Sequence, residues 1–323
     1  MCCNRVMTVR CLGSFLVMLA TMLAAASVSA QPGRPTLPAG TKVHRDLQYV
    51  KDGHERQRLD LYLPEEADGP LPVIVWIHGG AWFAGSKDFA GEVMEFVDRG
   101  YAVASIGYRL SQHATFPSQI EDCKAAIRWL RANAATYQLD PEHIGVWGES
   151  AGGHLAALVG ATGDVRELES IGGNAEESSR VQAVVDFFGP TDFLQMSAHA
   201  VKGSFLEHDA PSSPESRLIG GPIQDNREKA QRANPIRYLT KNAPPFFIAH
   251  GEQDPVVPCH QSELLDEALK RAGIEVVFTK IPGAGHGGRE FSTDEMKAAV
   301  QAFFDKHLKT HADEKAETPA NSE

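Results

Sequence analysis

The chain has little cysteine. Of its 323 residues five are cysteine, and Cys2, Cys3 and Cys11 crowd the N-terminus, leaving Cys123 and Cys259. Two thiols can make one bridge, but a chain this long buries enough surface to need no covalent staple. Cys123 falls on an amphipathic helical pattern and Cys259 at the start of another, far away in sequence, so both are expected to stay unpaired. Basic residues are also scarce: 31 Lys and Arg against 42 Asp and Glu give a net charge of −11. That balance excludes a nucleic-acid partner and an anionic membrane surface, which both select basic patches. No Cys/His metal spacing, Walker loop or Gly-x-Gly-x-x-Gly fingerprint occurs, so neither a metal nor a cofactor is expected. No apolar run reaches the ~20 residues needed to cross a bilayer.

What is present begins with a separable leader. Arg5 and Arg10 precede an apolar run from Leu12 to Ala26, and Val28-Ser29-Ala30 offers small residues at a cleavage site. This is the layout of a secretory signal peptide over residues 1–30, with a secreted or periplasmic product and no stable membrane association after cleavage. Residues 31–41, rich in proline and glycine, read as a linker. Residues 309–323 are charged, lack large apolar side chains and read as a disordered tail.

Between them, residues 42–308 alternate strand and helix signals. Half-exposed strands are expected at 43–50 and 57–63. Continuous apolar runs at 73–77, 101–106, 144–147, 181–188, 245–249 and 275–281 mark strands buried on both faces. Helical spacing predicts helices over 86–99, 116–135, 150–161, 260–272 and 293–308. The expected class is α/β, a mostly parallel central sheet with helices on both faces. Residues 191–242 interrupt the alternation as a polar, cap-like excursion.

Three motifs carry chemistry. Gly148-Glu149-Ser150-Ala151-Gly152 follows one strand and opens a helix, the setting of a nucleophile elbow. A serine needs a base, and the chain order for this turn is Ser, acid, His. His286, in the small-residue loop Gly283 to Gly288, is the candidate base. Asp254, after the strand 245–249, is the candidate acid, with Asp192 as its rival one strand earlier. His78-Gly79-Gly80-Ala81-Trp82 is similar to the turn that donates backbone N–H groups to an oxyanion, which makes Gly80 and Ala81, with Ala151 after the nucleophile, the candidate donors. Trp82 is expected to line the pocket. Glu149 and His154 read as structural.

These residues resemble the α/β-hydrolase fold. Tyr108-Arg109-Leu110, Phe116-Pro117, Ala125 to Leu130, Asp140-Pro141 and Gly148 to His154 extend the likeness to bifunctional feruloyl/acetyl-xylan esterases and to hormone-sensitive-lipase-like carboxylesterases, over about Arg58 to Leu308. Ala81 departs from the third glycine often found there. The resemblance implies a serine carboxylesterase acting through an acyl-enzyme on short-chain or aromatic acyl esters, with acetyl or feruloyl carbohydrate esters as substrates. A prolyl-oligopeptidase-type peptidase, a lipase and a non-catalytic binding protein are the competing readings. Against the peptidase, only about forty residues precede the buried sheet; against the lipase, residues 191–242 lack a broad apolar lid face.

One expectation is testable directly: the exported protein should begin at or within a few residues of Gln31, as read by N-terminal sequencing. Met1 on the exported form would refute the leader.

Overall fold

A computed structural model describes residues 37–204 and 206–309. The proposed leader, most of the linker and all of the tail beyond Lys309 lie outside the described residues. Eight strands form one sheet: β1 (Lys42–Gln48), β2 (Arg58–Leu63), β3 (Leu71–Ile77), β4 (Ala102–Ile106), β5 (Leu139–Glu149), β6 (Ala183–Phe187), β7 (Phe246–Gly251) and β8 (Val276–Ile281). Their spatial order is β1-β2-β4-β3-β5-β6-β7-β8. β1, β2 and β4 pair antiparallel; every pair from β4–β3 onward is parallel.

The apolar runs of β3 to β7 become parallel strands because helices cover both faces, whereas β8, expected to be buried on both faces, lies at the sheet edge and is partly exposed, Val277 to 41%. In β3, Val73, Val75 and Ile77 enter the core shared with α1 (Ser118–Ala132), α3 (Ala151–Ala161) and α7 (His260–Arg271). Ile74 and Trp76 enter the opposite core, with α8 (Asp294–Leu308). That second core is an aromatic cluster in which Trp147 meets Trp76, Phe96 and Phe187 edge-on at 5.3–5.7 Å. Such pairs add ~0.5–1.5 kcal/mol each beyond area burial. α8 starts where Thr293 caps the N–H of Met296 and Asp294 and Glu295 occupy the first turn, complementing the helix dipole.

The expected helices appear with one exception. Residues 86–99 form only a 3-10 turn from Gly91 to Arg99. The carbonyls of Lys87 and Phe89 accept from Ser105 Oγ and Trp76 Nε1, so that stretch is tied to neighbouring strands. Residues 191–242 hold three short helices, α4 (Met196–His199), α5 (Pro214–Ile219) and α6 (Arg227–Arg232). Phe193, Met196, Leu218, Ile219 and Ile223 of this segment sink into the α1/α3 core, so the excursion is continuous with the domain. α2 (Ala134–Tyr137) is a short extension of α1. The Cys123 and Cys259 thiols are both free, the first buried.

Strand order reverses between β3 and β5, since β3 connects to β4 on one side and β5 adds on the other. In open parallel sheets the crevice beyond the strands' carboxyl ends at such a reversal is where ligands bind. Ile77 pairs with Gly148, which sets the turn after β3 level with the turn after β5.

Asp186 of β6 is fully buried, and its Oδ1 accepts from the Gly189 N–H while Oδ2 has no partner. Burial pushes this carboxyl up from an ordinary 3.8 to about 7, against the pull of that hydrogen bond. The native chain therefore holds the proton across a range in which the unfolded chain has lost it, and this residue's contribution to stability falls as pH rises from about 4 to about 7. Asp186→Asn should flatten that loss: in thermal unfolding, wild-type Tm should drop relative to the variant between pH 5 and pH 8. Parallel curves would refute the assignment.

Candidate active site

The elbow at Ser150 is strained. Ser150 sits at φ 54° and ψ −121°, a left-handed conformation that non-glycine residues avoid. The chain accepts it because both ends of the turn are held: the Ser150 N–H donates to Phe187 O at 2.9 Å and its carbonyl accepts from the His154 N–H at 3.0 Å. The flanking glycines are steric requirements. A Cβ on Gly148 would strike the Gly152 carbonyl, and one on Gly152 the Ile77 carbonyl. The serine side chain is thereby pushed out of the strand-to-helix corner, as the motif predicts.

His286 and Asp254 meet it there. Ser150 Oγ lies 2.8 Å from His286 Nε2, and His286 Nδ1 lies 2.7 Å from Asp254 Oδ2. A carboxylate only accepts, so Nδ1 carries the proton and Nε2 is free to take that of the serine. The imidazole rests against the edge of Phe188 at a centroid distance of 4.7 Å. Asp254 is buried, yet its Oδ1 accepts from the N–H groups of Val256 and Val257 at 2.8 and 2.9 Å. Burial opposes its ionisation. Hydrogen bonds from His250 and His286 outweigh that and hold the carboxyl well below the usual carboxylate range. The rival Asp192 is spent elsewhere: it caps Leu194 N at 3.1 Å and accepts from the Gln195 amide at 2.7 Å. The expected preference for Asp254 has its physical reason here: β7 adjoins β8, with Gly251 paired to Ile281.

The turn after β3 stands beside the nucleophile. A Cβ on Gly79 would come within 3.5 Å of Ser150 Cβ and 2.9 Å of the Glu149 carbonyl, so only glycine fits. Gly80, Ala81 and Trp82 all take positive φ, at 106°, 50° and 58°. Ala151 is the first residue of α3, where the N–H has no intrahelical acceptor. The turn that begins at Gly79 and the N-terminus of α3 at Ala151 thus both adjoin Ser150.

Trp82 does not line the opening as expected. The left-handed run of the turn directs it inward; it is 2% exposed and packs edge-on against His154 and Phe193 at 5.2 and 5.3 Å. The side chain that the turn sends outward is Phe83, 39% exposed, with the Arg217 guanidinium 5.7 Å from its ring centre. His154 is structural: its Nε2 donates to Ala233 O at 2.7 Å, tying α3 to the excursion.

Sequence reasoning missed the support of the turn. His78 Nδ1 donates to Gly79 O at 2.7 Å, its ring stacks on Tyr108 at 4.3 Å, and its Nε2 lies 3.3 Å from Arg56 Nη2. Arg56 also donates to Gly85 O at 2.8 Å, and Tyr108 to His78 O at 2.9 Å. Nε2 facing a guanidinium must be an acceptor, so this imidazole is neutral, and burial lowers it to about 4. No sequence signal links Arg56, on the turn before β2, to the end of β3. Among the described residues no three His, Cys, Asp or Glu side chains converge as metal donors.

The comparisons with known proteins agree with this geometry. Residues 59–269 match the BD-FAE family model. Esterase LipQ of Mycobacterium tuberculosis is 35% identical over 266 residues, covering 80% of this chain and 61% of that protein, so the chain spans about three-fifths of this curated relative. A truncated carbohydrate esterase from gut microbiota superposes with TM-score 0.78 at 34% identity, covering 85% of this chain and all of the other. A bifunctional GH43-CE protein of Bacteroides eggerthii superposes with TM-score 0.75 at 41% identity, covering 82% of this chain and 35% of the other. The chain belongs to the BD-FAE family and has the mostly parallel sheet of the α/β-hydrolase fold.

Proposed function

We propose that this chain is an exported serine carboxylesterase that removes acetyl, or another short or compact aromatic acyl group, from carbohydrate. The observation that carries the reading is the continuous line Ser150 Oγ, His286 Nε2, His286 Nδ1, Asp254 Oδ2 with its two short hydrogen bonds. Ser150 Oγ attacks the ester carbonyl as His286 takes its proton. The oxyanion gathers between the N–H groups of Gly80, Ala81 and Ala151. His286 then protonates the leaving alcohol, which departs as the acyl-enzyme forms. Water, deprotonated by the same imidazole, releases the acid and restores Ser150. Asp254 stays ionised throughout and stabilises the imidazolium.

The substrate class rests on several supports. One structural relative is a carbohydrate esterase from gut microbiota. Ala81 places a methyl group on the oxyanion turn where other members of the fold often have glycine, which narrows the acyl side. Phe83 and Arg217 offer an exposed ring and a cation to the leaving sugar. Secretion rests on the leader pattern alone.

Ser150→Ala and His286→Ala should each remove nearly all ester turnover, leaving at most the ~10³–10⁴-fold over water that binding and the oxyanion hole supply. Asp254→Asn should lower kcat by ~10⁴, through the wrong imidazole tautomer, whereas Asp192→Asn should stay near wild type. Steady-state kinetics with p-nitrophenyl acetate reads all four; the reverse result for the two aspartates would overturn the acid assignment.

Substrate choice is read from kcat/KM across p-nitrophenyl esters from acetate to palmitate, with acetylated and feruloylated oligosaccharides and a peptide p-nitroanilide alongside. A maximum at two to four carbons or at feruloyl, with negligible anilide cleavage, is expected. A maximum at octanoate or longer, or a jump above the ester's solubility limit, would favour a lipase.

A further inference from the structure

Asp254 has a second histidine partner that the triad does not require. His250, near the end of β7, is fully buried four residues before the acid. Its Nε2 lies 2.8 Å from Val257 O and 3.3 Å from Asp254 Oδ2, and its Nδ1 lies 2.7 Å from Ser262 Oγ, in the first turn of α7. A carbonyl and a carboxylate oxygen only accept, so the Nε2 side must carry a proton. In the neutral ring Nδ1 is then an acceptor, and the Ser262 hydroxyl is its donor.

From this geometry we propose that His250 is a positioning residue for the acid of the triad, its tautomer set by Val257 O and Asp254 and its ring anchored at Nδ1 by Ser262; the role presupposes the esterase reading above. One N–H holds two things at once. It ties down the Val257 carbonyl, and so the 254–257 loop whose Val256 and Val257 N–H groups grip Oδ1. It also reaches Oδ2, the oxygen that accepts from His286. The carboxylate is thus fixed at both oxygens. The longer contact guides Oδ2 without taking the short 2.7 Å bond away from the catalytic imidazole. Without His250, Val257 O loses its donor, the loop is freer to move and Oδ2 can swing off the Nδ1–H direction. Misplacement of a catalytic group on that scale costs far more in turnover than in binding.

The test separates this role from that of a satisfied core histidine. His250→Leu removes the donor. His250→Gln keeps an N–H donor near the Nε2 position, and Ser262→Ala removes the hydroxyl that anchors the ring at Nδ1. For p-nitrophenyl acetate, His250→Leu should lower kcat ~10–100-fold with KM little changed, and His250→Gln should recover most of it. Ser262→Ala should lie between wild type and His250→Leu. The low-field proton NMR resonance of His286 Nδ1–H, bonded to Asp254, should be kept in His250→Gln and weakened or shifted in His250→Leu and Ser262→Ala. A folded His250→Leu with wild-type kcat and an unchanged resonance would overturn the proposal, as would a His250→Gln no better than His250→Leu. If His250→Leu does not fold, Ser262→Ala decides by the same two readouts. The resonance needs no substrate, so it tests the clamp even if wild type hydrolyses no ester. A wild-type protein without ester turnover and unlabelled by a fluorophosphonate would instead defeat the esterase reading.

Discussion

The left-handed backbone at Ser150 is the constraint on which the rest of the site depends. A non-glycine residue in that region costs of the order of 1–3 kcal/mol, and it persists only where its surroundings over-determine it. Here they do. β5 enters the turn from the centre of a parallel sheet, α3 leaves it against the α1 core, and Gly148 and Gly152 let carbonyls approach to distances that no side chain would tolerate. Relaxing the turn would require moving a central strand or the helix it feeds. The strain is thereby carried by apolar burial on both sides of the sheet, and the half-buried serine sits where the strand order reverses between β3 and β5.

Around that fixed point the chemistry is assembled from strand ends in register. The turn after β3 stands level with that of the nucleophile, and the ends of β7 and β8 bring Asp254 and His286 to it. Each is then locked by polar groups that have given up their solvent. His78 is neutral because it faces Arg56, and its stacking on Tyr108 holds the glycine turn. Asp254 is ionised because four donors reach it, two from the backbone and two from imidazoles. Of the four buried histidines, His78, His154 and His250 each donate to a backbone carbonyl and act as braces, and His208 pairs with Glu215, whereas the partly exposed His286 faces the acid and the nucleophile. Burial thus separates two uses of one residue type.

The excursion between β6 and β7 shows how polarity in sequence can mislead. Its proline, serine and charge suggest a detached cap, yet a few apolar residues, Phe193, Met196 and Leu218 among them, dock it into the main core. Its beginning also takes Asp192 out of the contest for catalytic acid, by giving that carboxylate a turn to cap.

The sequence by itself determined what depends on local sterics and periodicity. The eight strands, four of five helices and the Gly148–Gly152 elbow were legible, because burial on two faces requires unbroken apolar runs and a left-handed turn requires flanking glycines. His286 was legible because a histidine among five small residues has nothing local to pack against. The tertiary structure alone decided what depends on neighbours far apart in the chain. It turned Trp82 into the core by a run of positive φ angles that only the packed turn imposes. It reduced the 86–99 helix to a 3-10 turn by claiming its carbonyls for Ser105 and Trp76. It also recruited Arg56 and His250 to the site. Hydrogen-bond partners of buried groups are set by which strand ends meet, and no spacing in a linear sequence encodes that meeting.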